Sequence, residues 1–195
     1  YDADDWTYIA YARRAVPSTN EWNPAKLFPE IVLPLCSALA SRVIYPLTGE
    51  FIQSITWITS VIVSSFIVLY IHSLYEFLKR LFSISSNNSI SVELLFLILH
   101  FLVFRYGDSD NTYLFYCDNL NCYYNYLLPA LLNASLVLYM VKNEKFYEFL
   151  ENGNAVGRGL LCIVFYFAIF SNLVDNIILG VYAGSMLLFD LNKII

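Results

Sequence analysis

Asp4 and Asp5, side by side in Tyr1-Asp-Ala-Asp-Asp-Trp6, are the residues of this chain best suited to acid–base chemistry. A carboxylate held beside a reacting hydroxyl can take its proton, and partial burial raises the pKa toward the working range. Arg13, Arg14 and Lys26 follow closely, with Trp22 and Glu30 among them. Such bases stabilise phosphate, and Arg does so by bidentate contact. Each residue also has a plainer reading. Asp4 or Asp5 would cap a helix over Asp5–Ala15 that Pro17 brings to a stop. Arg13-Arg14 would be a solvated face, or anchors snorkelling at headgroup level. Trp22-Asn23-Pro24 and Phe28-Pro29-Glu30 would be a turn and a helix start. Three acids in five residues nonetheless exceed what a cap requires.

A second acidic group, Asp108 and Asp110, lies in the polar loop Gly107–Asn111. These are solvated loop acids, or secondary candidates facing the first segment across a cleft. Metal chemistry has little to draw on. The chain lacks CxxC and HExxH, and His72 and His100 sit alone in apolar runs, so no metal site is expected. Phosphate-cradling glycine motifs and GxSxG are also absent. Cys117 and Cys122 share one loop and could pair in an oxidising compartment, or remain free thiols.

The elements that must position these residues are apolar. Of 195 residues, 58% are hydrophobic and 14% charged, against about 25% charged in soluble domains. The chain therefore reads as an integral membrane protein, all-α, a polytopic bundle of transmembrane helices. A net charge of −5 with no basic stripe excludes nucleic acid as a partner. Phe51–Tyr75 contains no Asp, Glu, Lys or Arg and exceeds the roughly 20 residues needed to cross a bilayer core. Further spans are expected at about 90–104, 122–141, 159–173 and 177–190. The last two could be one interrupted helix or two short ones turning at Asp175, and Lys193 favours two.

Residues 1–50 form a separate segment, expected to lie on the outer face as interfacial helices near 5–15 and 30–46. Lys79, Arg80, Lys142, Lys145, Arg158 and Lys193 fall on one side of this scheme, the cytoplasmic one. Arg13, Arg14, Lys26, Arg42 and Arg105 fall on the other. Bases kept outside against the usual bias fit phosphate binding at the membrane surface. Because residue 1 is Tyr and no signal peptide is evident, the chain reads as part of a longer protein.

Asp-Asp-Trp-x-Tyr, then Ala-Arg-Arg, Trp-Asn-Pro-x-Lys and Pro-Glu-Ile-x-Leu-Pro, resembles the first outer loop of polytopic glycosyltransferases of the C superfamily. The likeness is greatest to bacterial members that build or decorate surface polysaccharide. It is sharpest over residues 1–35, and Asn125-Tyr-Leu-Leu-Pro-Ala and Phe170-Ser-Asn-Leu add to it. It implies an N-terminal part without the first helix, in the bacterial cytoplasmic membrane with its site on the outer face. Its partners would be membrane lipid, a polyprenyl-phosphate-linked sugar as donor and a glycan or lipid-linked acceptor. Carried onto this chain, the resemblance makes Asp4 or Asp5 the general base. Arg13, Arg14 and Lys26 would stabilise the departing phosphate, with Trp22 and Glu30 beside them. It leaves a divalent metal open.

Two other classes compete. A polysaccharide polymerase or ligase of another membrane fold would also use outer-loop arginines. A lipid-linked-glycan flippase or transporter would place charge in mid-span and show an inverted repeat. Only Asp175 meets the first condition, and no repeat is visible. A non-catalytic scaffold would use Asp4-Asp5-Trp6 merely as a cap.

Overall fold

The structure, a computed structural model, describes residues 3–10, 26–83, 89–103, 114–117, 119–143 and 146–194. Among these residues all regular structure is helical: α1 (Ala3–Ala10), α2 (Phe28–Thr48), α3 (Phe51–Leu81), α4 (Ser89–Val103), α5 (Leu120–Lys142), α6 (Phe146–Asn152), α7 (Ala155–Ile169) and α8 (Ile177–Ile194). The protein is an all-α membrane protein. α2, α3 and α5 are each long and apolar enough to cross a bilayer, whereas α4, α7 and the apolar part of α8 are shorter. The second helix of the leading segment thus runs longer than its sequence expectation and reaches spanning length. Between α7 and α8 the chain breaks at residues 170–176, so the ambiguous stretch is two helices.

The pairing of α3 with α5 organises the bundle. Tyr124 and Thr59 share a hydroxyl–hydroxyl hydrogen bond of 3.2 Å near one end, and Lys142 meets Glu76 at 2.7 Å at the other. Equivalent steps along both helices keep these contacts in register, so α3 and α5 run parallel. The chain between them must then return, and α4 does so antiparallel to α3, with Tyr75 against Phe96 and Tyr70 against His100. α2 pairs antiparallel with α3 through a tight corner at Gly49. That residue sits at φ +73°, a left-handed cap conformation that glycine adopts without steric cost. α5 is the most enclosed of the spanning helices, with Leu128 and Asn133 fully buried.

Three wide π-helical turns, Phe28–Val32, Ala40–Ile44 and Tyr123–Leu127, each end two residues before a proline: Pro34, Pro46 and Pro129. Proline lacks the N–H of the helix ladder and its ring crowds the carbonyl four residues back. That carbonyl belongs here to Glu30, Arg42 or Asn125, always inside the widened turn. The Asn125 carbonyl, denied the Pro129 N–H, accepts instead from Asn172 Nδ2 at 2.5 Å. This bond fastens the α7–α8 turn to α5.

The turn is held by further polar contacts. Asn133 Nδ2 donates to the Pro129 carbonyl at 2.9 Å and reaches the Ala168 carbonyl and Ser171 Oγ. Phe170 offers its carbonyl to the Leu27 N–H at 2.9 Å, giving a partner to one of the backbone donors that a helix start leaves unsatisfied. Phe28 then packs edge-on to Phe66 and Phe167. The start of α2 and the end of α7 therefore meet beside α5, well short of its Lys142 end.

Candidate functional site

Asp5 is fully buried on α1. Its Oδ2 accepts from the Leu120 N–H at 3.2 Å and its Oδ1 from the Asn121 N–H at 2.5 Å. The first helical residues of any helix have no internal partner for their N–H groups. In α5 the third, Cys122, is met by Asn119 Oδ1 at 2.9 Å. Asp5 and Asn119 together cap all three, and the carboxylate also faces the positive end of the helix dipole. Asp5 is therefore a cap, but for a helix that begins more than a hundred residues further along the chain, not for its own. Ser37 Oγ donates to the Ile9 carbonyl at 3.4 Å and ties the far end of α1 to α2.

Asp4 occupies the exposed side of the same helix. The acidic pair thus divides: one carboxylate is enclosed and engaged by backbone, and the other faces outward on a helix fixed in place by its neighbour. Lys26 is exposed just ahead of α2, and Glu30 is half-buried in its first turn. Arg13, Arg14, Trp22, Asp108 and Asp110 lie outside the described residues. Among the described residues no group of three or more His, Cys, Asp or Glu side chains could hold a metal ion. Cys117 and Cys122 are not joined in a disulfide.

Beside the Asp5 cap lies a cleft of about 380 Å³ between α3 and α5. Thr56, Thr59, Ser60 and Ser64 line it from α3, and Tyr123 and Asn119 from the other side. Leu120, whose N–H is bonded to Asp5, also lines it. Side chains bearing a hydroxyl or an amide make up most of its lining, with apolar surface between them, and such groups can hydrogen-bond a polyhydroxylated ligand. Sequence reasoning passed over it because Ser and Thr scattered through an apolar run read as ordinary membrane-helix residues. Their recurrence at Thr56, Ser60 and Ser64, one helical turn apart, was the available signal.

A second cavity, of about 370 Å³, opens between α3, α5 and the α7–α8 turn. It is apolar, with Asp175 at its wall. Burial pushes the Asp175 carboxyl up to about 6, because water no longer solvates the charged form fully. Its Oδ2 is buried without a hydrogen-bond partner. Tyr70, on the same wall, lies 3.4 Å from His100 Nε2. His100 Nδ1 is 2.7 Å from the Phe96 carbonyl and donates to it.

Comparison with family models, with curated proteins and with solved structures finds no match to this chain.

Proposed function

We propose that this chain belongs to a membrane glycosyltransferase that takes its sugar from a polyprenyl-phosphate donor and passes it to a glycan or lipid-linked acceptor. The observation that carries the reading is the hydroxyl-lined cleft beside the α1 cap, next to a segment whose motifs resemble the first outer loop of such enzymes. In this reading the Leu120 end of the bundle faces outward from the bacterial cytoplasmic membrane, and the cleft receives the sugar. Asp4 is the general base. Its carboxylate takes the proton of the acceptor hydroxyl as that oxygen bonds to the anomeric carbon. The bond from that carbon to the phosphate oxygen breaks, and the lipid phosphate leaves with the electron pair. Arg13, Arg14 and Lys26 supply positive charge to that phosphate. Asp5 acts by positioning, since its cap fixes α1 and with it Asp4.

The test is transfer of radiolabelled sugar from a panel of polyprenyl-phosphate sugars in membranes that contain the full-length protein. The reading expects incorporation from one donor above membranes lacking the protein. Equal incorporation in both for every donor contradicts it.

A non-catalytic scaffold is the second reading, favoured by the use of both Asp5 carboxylate oxygens in a helix cap. It gives Asp4 no task, so the two readings part on that residue.

A further inference from the structure

Four hydroxyl side chains of α3 line the cleft beside the Asp5 cap, and they divide into two pairs. Thr56 Oγ1 donates to the Ile52 carbonyl at 2.8 Å, and Thr59 Oγ1 lies 3.2 Å from the Tyr124 hydroxyl. Both are engaged by the fold itself. A serine within a helix either bonds back to the carbonyl four residues earlier or points outward. Ser54 and Ser65 of the same helix bond back, each at 2.7 Å. Ser60 and Ser64 take the other course: both are exposed, and neither hydroxyl has a hydrogen-bond partner among the described residues. One turn apart, they hold their Cβ atoms about 5–6 Å from each other.

Asn119, on the other side of the cleft, is held by one end. Its Oδ1 accepts from the Cys122 N–H at 2.9 Å, which fixes the amide, since only the oxygen can accept. The NH2 is the end left over. Nδ2 has no hydrogen-bond partner among the described residues, and it keeps accessible surface. Asn119 thus offers the cleft a fixed, donor-only group, while Ser60 and Ser64 can each donate or accept.

We propose that these three side chains recognise the sugar, the Asn119 NH2 donating to one hydroxyl oxygen and Ser60 and Ser64 each bonding a further hydroxyl. This rests on the reading that the cleft receives a sugar. A pyranose carries hydroxyls on successive ring carbons, each able to accept and to donate. One ring therefore satisfies a fixed donor and two adaptable hydroxyls together. Asn119 has two tasks, a cap for α5 and a contact to the ligand, and a variant separates them. Ser caps a helix about as well as Asn but has no NH2 to offer, and it adds no charge beside Asp5.

The experiment uses the full-length protein in lipid nanodiscs and octyl glycosides of glucose, galactose and N-acetylglucosamine, each with a diazirine beside the sugar. After irradiation, adducts are located by peptide mass spectrometry. At least one glycoside is expected to label Tyr116, Leu120 or Tyr123 in wild type, and its unmodified form to displace it. Asn119→Ser, and separately Ser60→Ala with Ser64→Ala, are expected to weaken that labelling about tenfold while the melting midpoint is kept. The serine variants remove hydroxyls that hold no bond in the fold, so their result stands even if Asn119→Ser fails to fold. Where transfer is measured, the same variants are expected to raise KM about tenfold and leave kcat nearly unchanged. Cleft labelling absent for all of these glycosides overturns the proposal, as does labelling undiminished in the folded variants. Labelling that depends on Asn119 and the serines, with no donor transferred, upholds the proposal and contradicts glycosyl transfer. Transfer with KM unchanged in every variant does the reverse.

Discussion

Replacing Asp5 should unfold the protein from a distance, because its carboxylate caps a helix in another part of the chain. Two backbone N–H groups, of Leu120 and Asn121, donate to it in a fully buried setting. Hydrogen bonds to a charged group contribute about 1.5–3 kcal/mol each, and an orphaned buried donor costs about 1–3 kcal/mol. Asp5→Ala loses both bonds and the charge–dipole attraction, so about 3–5 kcal/mol is expected. In a chain of this size each kcal/mol moves the midpoint by about 2–4 °C, giving a fall of roughly 6–20 °C.

Asp5→Asn is the informative companion. At an ordinary cap Asn serves about as well as Asp. Here both oxygens accept, and an amide would turn its NH2 toward one of the two donors. About 2–3 kcal/mol is therefore expected, most of the alanine effect. Asp4→Ala, at an exposed position, should stay within about 0.5 kcal/mol. The assay is thermal unfolding in detergent followed by circular dichroism. An Asp5→Ala midpoint within 2 °C of wild type, or about the same as Asp4→Ala, would refute the cap.

Other outcomes follow from the same contacts. Asn172→Ala should cost about 1–3 kcal/mol by melting, since it orphans the Asn125 carbonyl and also frees the Val174 N–H that Asn172 Oδ1 accepts. The Asp175 carboxyl stands at about 6 in the fold against an ordinary 3.8. Over that window the unfolded chain gives up its proton first, so stability should fall as pH rises from about 4 to about 6. The loss is of order 1 kcal/mol, because the group is only half-buried. Melting of wild type and Asp175→Asn at pH 4.5 and 7 checks the sign, with the slope expected to shrink in the variant. For orientation, Glu50→Cys should react with an impermeant thiol reagent in intact cells and Glu151→Cys should not, in a background lacking the native cysteines. Both positions are exposed, and they lie toward opposite ends of the bundle in the proposed topology.

Much of the helical content was legible in the sequence, because uninterrupted apolar runs such as Phe51–Tyr75 permit little else in a membrane. The interruption Ser171-Asn-Leu-Val-Asp-Asn176 was visible as well, but not its purpose. Asn172 reaches a carbonyl that Pro129 had deprived of its donor, and no local pattern links residues 47 positions apart. The same limit applies to Asp5. Its type and place in an acidic run suggested a cap or a base, while the helix that it caps is known only once α1 is packed on α5. Asp175 stood out as a lone acid between apolar runs, and what the fold adds is the cavity around it and its unpartnered oxygen. α2 exceeds the expected 30–46 by two residues at each end, reaching Phe28–Thr48. Widened turns ahead of Pro34 and Pro46 let the helix continue.

The claim that this chain carries a glycosyl-transfer site is tested most directly at Asp4. The measurement is the initial rate of sugar transfer from the active polyprenyl-phosphate donor by full-length wild type and Asp4→Asn, with protein level and melting midpoint matched. A general base contributes typically about 10²–10⁴-fold, so the rate should drop by that factor while the midpoint stays put. Equal rates for Asp4→Asn and wild type would contradict the assignment.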